Sequence, residues 1–254
     1  MVNKIKDLIL FHTKRRHGLQ DTEILPLRVI CATQHSMDDF FSKTLTGVTL
    51  EKFSDVTPAQ VIVHTENKVG LSTLYNQAIE EAAQSPCILV FMHDDLEILD
   101  FFWGDRIRKG LQAFDIVGLA GNTRRSPLQP SWYFREIKDD HVTADELEFL
   151  SGAVGHFDEE NGNPLISHYG EIERKCKLLD GLLVAAESET LIKSNTRFDD
   201  QFSFHFYDMD FCRSAEVNGL SMGTIGLAVN HKSMGSYDQT WLDANDRYIS
   251  KWKE

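Results

Sequence analysis

Cysteine is scarce in this chain: four in 254 residues, at positions 31, 87, 176 and 212, with no C-x-x-C pair. Spacing this wide supports neither a structural zinc site nor a disulfide framework. Cys31 and Cys87 fall in apolar runs, so buried free thiols in a reducing cytoplasm are the expectation. Long apolar runs are also missing, since none approaches the ~20 residues of a membrane span. The N-terminus lacks the apolar core and small-residue cleavage site of a signal peptide. Positive charge is in deficit, with 26 Lys and Arg against 39 Asp and Glu and a net charge of −13. That balance leaves no overall basic footprint for a phosphate backbone, which argues against nucleic-acid binding. Glycine-rich phosphate loops are absent as well. No G-x-G-x-x-G follows the first strand and no G-x-x-x-x-G-K-[ST] occurs. Gly70-Leu71-Ser72-Thr73-Leu74 lacks the second glycine of a nucleophile elbow. What remains as candidate chemistry is paired acids, with no covalent nucleophile in evidence.

The composition, 42% hydrophobic and 26% charged, is that of an ordinary globular protein long enough to bury a large core. Its first twenty residues differ, with five basic side chains and one acid. Ile5, Leu8, Ile9 and His12 share one helical face, so residues 3–16 read as a short basic amphipathic helix. Such a helix either packs on the domain with a solvated basic face, the commoner case, or docks on a membrane surface such as the inner face of the cytoplasmic membrane. Residues 21–254 read as one domain. Strand-like runs at 27–32, 61–64, 87–92 and 116–120 alternate with helical periodicity at 71–84 and 99–113. That alternation predicts an α/β fold, an open, mostly parallel twisted sheet with helices on both faces. Residues 122–179 read as an irregular insertion of short strands and loops. Regularity returns with a strand at 178–186, a helix at 206–218, a strand at 227–229 and a C-terminal helix at 238–252.

Three clusters could carry chemistry. His93-Asp94-Asp95 directly follows the buried 87–92 run, and ligands of open α/β sheets bind beyond the carboxyl ends of their strands. Carboxylates there suit a hard divalent cation such as Mg²⁺ or Mn²⁺, although Asp is equally a turn and cap residue. Asp208 and Asp210 stand two apart at a helix start, so they project about 200° from one another and cannot both serve one site. Either or both could simply complement the helix dipole. Phe202, Phe204, Phe206 and Phe211 surround them, a setting that raises a carboxyl pKa toward general-base work. His231 follows the last strand and could complete a metal shell if the fold brings it to Asp95.

Taken in order, these segments resemble the GT-A-fold glycosyltransferases of the family 2 type, and among them the branch that holds the streptomycin-biosynthesis StrF-like domain. The carriers are Glu66-Asn67-Lys68-Val69-Gly70-Leu71-Ser72-Thr73-Leu74-Tyr75-Asn76-Gln77-Ala78-Ile79, the strand ending in His93-Asp94-Asp95, Asp180-Gly181 with Phe198-Asp199-Asp200-Gln201-Phe202, and Tyr207-Asp208-Met209-Asp210. They span roughly 27–236. The resemblance implies the GT-A fold and transfer of a sugar from a nucleotide-diphosphate sugar to a hydroxyl acceptor, with inversion and a divalent metal, Mn²⁺ or Mg²⁺. It implies that Asp95 holds the metal with His231 close by, that Asp94 stands alongside, and that Asp208 is the general base. Thr33, Asn67 and Leu71 would line the nucleotide pocket, and Asp180 would face a sugar. Trp132 and Tyr133, inside the insertion, are candidates for stacking on an acceptor saccharide. Two positions depart from the pattern: His93 stands where D-x-D begins, and Tyr207 where an E-D pair has Glu. These departures motivate an alternative, a catalytically degenerate nucleotide-sugar-binding protein. A metal-dependent phosphohydrolase is the weaker third reading, because its nucleophilic Asp would have to stand at His93.

Overall fold

Leu27-Arg28-Val29-Ile30-Cys31-Ala32 combines β-branched residues with near-complete burial and forms the first strand, β1 (Leu27–Ala32). Two helices follow, α1 (Met37–Lys43), capped by Ser36, and α2 (Leu45–Lys52), capped by the Thr44 side chain. The chain continues through β2 (Ala59–His64), α3 (Leu71–Glu81), β3 (Ile88–Met92), β4 (Leu96–Ile98), α4 (Trp103–Leu111), β5 (Ile116–Gly118) and β6 (Ala120–Asn122). A hairpin of β7 (Phe134–Lys138) and β8 (His141–Ala144) precedes the longer β9 (Leu150–Phe157) and β10 (Pro164–Gly170). Then come β11 (Lys175–Cys176), β12 (Leu178–Leu179), β13 (Leu183–Glu187), α5 (Ser188–Lys193), α6 (Tyr207–Val217), β14 (Met222–Thr224), β15 (Val229–His231) and α7 (Gln239–Trp252). This computed structural model describes residues 24–138, 141–157, 162–233, 235 and 237–253. The basic 3–16 segment lies outside them.

The main sheet has seven strands in the order β11-β14-β5-β13-β3-β1-β2. Its β2-β1-β3 half is parallel, β14 is parallel to β5, and β13 runs antiparallel between β3 and β5. The sheet is therefore mixed, with helices and apolar side chains on both faces. Ile30, Leu89 and Phe91 point into a cluster with α3 and α6, while Val29, Val90 and Met92 point into a second one with Leu50 of α2 and Trp103 of α4. Strand β3 is buried on both faces, which accounts for its unbroken apolar run. All four cysteines are free and buried. Among the described residues, no helix is long and apolar enough to cross a membrane.

A second sheet, ordered β12-β6-β9-β15-β4 with β10 paired to β9, takes in β4, the strand that follows β3 in the chain. The 178–186 run, expected as a single strand, is divided between the sheets. Leu178 and Leu179 pair with β6, whereas Leu183–Glu187 pair with β3 and β5, and Asp180-Gly181-Leu182 makes the crossing. The helix expected at 71–84 ends as α3 at Glu81 and tightens into a 3₁₀ turn, Ala82–Gln84, ahead of Pro86.

Thr46, at the start of α2 and fully buried, fixes the turn that leaves β3. Its hydroxyl lies 2.6 Å from the His93 carbonyl and 2.9 Å from that of Leu96, and accepts from the Leu96 N–H at 3.1 Å. Its own N–H donates to the Asp94 carbonyl at 3.2 Å. Unpaired buried backbone groups are costly, so one side chain here holds a four-residue turn in shape. Thr46→Val keeps the volume and removes the hydroxyl; we expect it to lower unfolding free energy by about 1–3 kcal/mol, read from urea denaturation.

Candidate active site

The register of the second sheet assembles the site. His231 of β15 pairs with Leu96 of β4 on one side and with His156 of β9 on the other. This brings His231 beside the turn after β3, where its Nε2 lies 3.2 Å from Asp95 Oδ1. The Ser233 N–H donates to Asp95 Oδ2 at 3.2 Å, and the Lys232 N–H to the Asp95 carbonyl at 3.1 Å. One ligand atom each from His93, Asp95 and His231 lies within 4.8 Å of the other two. Of the sequence candidates, Asp95 and His231 are thus together, and the third member is His93, where the expected acid is missing.

Electrostatics shift Asp95 and His93 toward the forms that can ligate. Burial works to raise the Asp95 pKa, but hydrogen bonding to His231 and Ser233 outweighs it and holds the carboxyl well below the usual carboxylate range. Burial, with His231 nearby, lowers His93, and nearby acids only partly oppose this. His93 is accordingly a neutral imidazole, the form that can ligate.

Asp94 turns away from this trio. Its Oδ2 accepts from the Thr33 hydroxyl at 2.5 Å, joining the end of β1 to the turn after β3. Asp94, Thr33, Asn67 and Leu71 line a cavity of about 370 Å³. Asn67 is held in its loop by bonds to Val69, 2.8 Å to its carbonyl and 2.9 Å from its N–H. Leu71 and Asp94 also border a larger cavity of about 560 Å³, which holds His93, Asp95, His231, Asp180 and Asp208. Four Asp and four His side chains line that larger cavity, and among the described residues no Lys or Arg does.

Asp208 stands in the first turn of α6. Its Oδ2 accepts from the Gly181 N–H at 3.0 Å and its Oδ1 from the Met209 N–H at 2.8 Å. Burial, then the charge of Asp180, push its pKa up to about 6, and those N–H bonds only partly oppose the rise. Asp180 is tied at Oδ1 to the Leu182 N–H at 2.9 Å. Gly181 is required between them: a Cβ there would stand 2.3 Å from the Tyr207 hydroxyl and 2.9 Å from the Asp208 Cβ. The residue before α6, Phe206, takes φ +64°, a left-handed conformation that is strained for an aromatic residue. Packing holds it there, with ring centroids 5.5 Å from Trp241 and 5.2 Å from Tyr248 of α7. Asp210 points elsewhere, fully buried with Lys251 at 2.7 Å and the Trp252 indole N–H at 2.9 Å.

Several residues at the site were not singled out from sequence. His156 is 93% buried and neither ring nitrogen has a hydrogen-bond partner among the described residues; its ring centroid is 6.0 Å from that of His231. Burial and His231 keep it uncharged. Nothing local in the sequence marks it: it lies inside β9 between Gly155 and Phe157. Tyr169 packs edge-on to Trp132 at 4.9 Å and on Tyr133 at 5.6 Å, and Tyr237 joins the same wall of the cavity. Distant aromatic partners of that kind leave no pattern to read.

No family model matches the chain, and no curated protein matches it in sequence. Among solved structures it is similar to A197 from STIV, with 10% identity, a TM-score of 0.46, and coverage of 82% of this chain and 85% of that one. It is similar to the catalytic domain of Drosophila beta1,4galactosyltransferase 7 in complex with xylobiose at 8% identity, TM-score 0.45, over 79% of this chain and 65% of that one. A third is GalNAc-T7 with UDP, GalNAc and Mn²⁺, at 11% identity, TM-score 0.49, over 91% of this chain and 48% of that one. This chain thus spans less than two thirds of the length of the last two. With every TM-score below 0.5, these are loose likenesses, and the chemistry is read from this chain's own residues.

Because the folded pKa of Asp208 lies above that of the unfolded chain, the native state binds the extra proton between about pH 4 and 6. Stability is lost as pH rises through that window. Asp208→Asn removes the titration but turns one accepting oxygen into a donor, so we expect the stability of the variant relative to the parent to rise by about 1–3 kcal/mol between pH 4 and pH 8, measured by urea unfolding at both pH values.

Proposed function

We propose that this protein is an inverting, divalent-metal-dependent glycosyltransferase of GT-A type, moving a sugar from a nucleotide-diphosphate donor to a hydroxyl acceptor. The observation that carries this reading is the content of one cavity: a two-imidazole, one-carboxylate trio, a separate carboxyl raised to about 6, and no lysine or arginine among the described residues that line it. A diphosphate could not enter beside four aspartates without a cation to mediate, and the trio fits one. His93, Asp95 and His231 would hold the ion, and two imidazoles in the set favour Mn²⁺ over Mg²⁺, which prefers oxygen ligands. When bound, the ion supplies Lewis-acid stabilisation of charge developing on the leaving diphosphate.

The chain's own residues do the rest. The smaller cavity, with Thr33, Asn67 and Leu71, receives the nucleoside, and Asp94 borders both cavities so that the diphosphate crosses it toward the trio. Asp208, ionised above about pH 6, accepts the proton of the acceptor hydroxyl as that oxygen attacks the anomeric carbon. Asp180 keeps the Asp208 pKa high and faces the sugar. The aromatic wall of Trp132, Tyr133, Tyr169 and Tyr237 offers the apolar face on which a saccharide acceptor stacks. By this reading the 122–179 segment carries acceptor specificity within the single domain of residues 21–254.

Asp208→Asn is expected to lower the transfer rate constant by about 10²–10⁴-fold while donor affinity, read by calorimetry, holds. The parent's rate should climb with pH through an apparent pKa near 6. Chelation should abolish transfer, with Mn²⁺ restoring it better than Mg²⁺. Transfer by Asp208→Asn at the parent rate would remove Asp208 as the base. Donor binding with no transfer across an acceptor panel would return the binding-only reading.

A further inference from the structure

The two positions at which the sequence departs from its pattern touch one another. His93 Nε2 lies 2.9 Å from the Tyr207 hydroxyl oxygen, and that hydroxyl lies 3.0 Å from the Gly181 carbonyl oxygen. A carbonyl oxygen cannot donate, so the single hydroxyl proton of Tyr207 goes to Gly181. The Tyr207 oxygen is then an acceptor toward His93, and the His93 proton must be on Nε2. An imidazole that ligates a metal carries one ring proton; with that proton on Nε2, the free lone pair is on Nδ1, which has no hydrogen-bond partner among the described residues. His93 is also one of the three side chains with ligand atoms within 4.8 Å of one another, and its Nε2 is already engaged.

We infer that Tyr207 is a positioning residue for the cation site: its hydroxyl relays the Gly181 carbonyl to His93, commits that ring to the Nε2–H tautomer, and presents Nδ1 as the metal-ligating atom. This rests on the cation-binding half of the proposed function and not on sugar transfer. The device is rigid. Tyr207 is 4% exposed, its ring packs against Tyr75 and Phe198 at 5.8 and 6.1 Å, and the absence of a side chain at Gly181 makes room for its hydroxyl. A ligating histidine commonly donates its other ring N–H to a neighbouring group, which fixes tautomer and orientation together. Here the partner is a phenol that is itself fixed by a backbone carbonyl. The same phenol belongs to the residue next to Asp208, so the backbone that places the carboxyl also places the ligand.

The test uses the full chain, Mn²⁺ alone as the probe, and no nucleotide sugar. In the metal-free protein, ¹⁵N chemical shifts of the His93 ring should show the proton on Nε2, and Tyr207→Phe should lose that bias. Tyr207→Phe should also weaken Mn²⁺ binding by about 10–100-fold, measured by calorimetry on protein shown folded by circular dichroism. Two substitutions at the ligand itself decide the matter if Tyr207→Phe does not fold. The amide of Asn reaches the place of a histidine Nδ1 and that of Gln the place of Nε2, so His93→Asn should keep the tighter Mn²⁺ binding of the two. A parent ring protonated on Nδ1, Tyr207→Phe binding Mn²⁺ as the parent does, or His93→Gln binding better than His93→Asn would each overturn the inference. So would a parent that binds no Mn²⁺. A parent that binds Mn²⁺ through this arrangement yet transfers no sugar would overturn the proposed function and leave the inference standing.

Discussion

A strand buried on both faces must end somewhere, and the way β3 ends governs the whole site. The turn 93–96 leaves the sheet with half-buried and buried backbone groups, and the Thr46 hydroxyl accepts from the Leu96 N–H while its one proton lies within reach of the His93 and Leu96 carbonyls. With the backbone satisfied there, the side chains of His93, Asp94 and Asp95 are released from any duty as caps. They fan outward instead: His93 toward α6, Asp94 toward β1, Asp95 toward β15. Three consecutive residues thereby touch three different parts of the fold.

The second constraint is charge. The cavity gathers four carboxylates, and none of the described residues lining it brings a guanidinium or ammonium to answer them. Asp95 is relieved by His231 and stays ionised, while Asp208, facing Asp180 from a buried position, is not relieved and its pKa rises. One cavity thus contains a carboxylate suited to bind a cation and another suited to take a proton, separated by environment alone. The overall acidity of the chain, which at first only argues against nucleic acid, here acquires a local meaning. An anionic ligand and an acidic site are compatible once a cation stands between them.

Much of the framework was legible in the sequence because the signals are local. Buried strands read as apolar runs, α3 reads as a stripe ending ahead of Pro86, and the acid cluster after a buried strand marks the wall of the larger cavity. The Asp208 and Asp210 pair was legible too, since two residues apart on a helix means opposite faces, and Lys251 and Trp252 claim Asp210. What was not legible depends on partners far away. The division of 178–186 between two sheets follows from which strands lie beside it, not from its composition. Thr46 looks like any threonine near a helix start, and His156 like any histidine, until the register sets it across from His231. Tyr207 read as a departure from a motif because its counterpart, His93, lies 114 positions away.

That distance has a consequence for how the protein comes to be folded. Asp95 meets Ser233 across 138 residues, and Asp208 meets Gly181 only after the chain has crossed from one sheet to the other. Closing loops of that length carries an entropic cost before any contact forms, and chains rich in such contacts fold slowly. The strand that bears His231 follows every other described strand in the chain, and it joins β4 to β9. All strands of the main sheet precede β15 in the chain, and only β15 brings His231 to His93 and Asp95. That cluster is thus a property of the assembled fold and of no single stretch of chain.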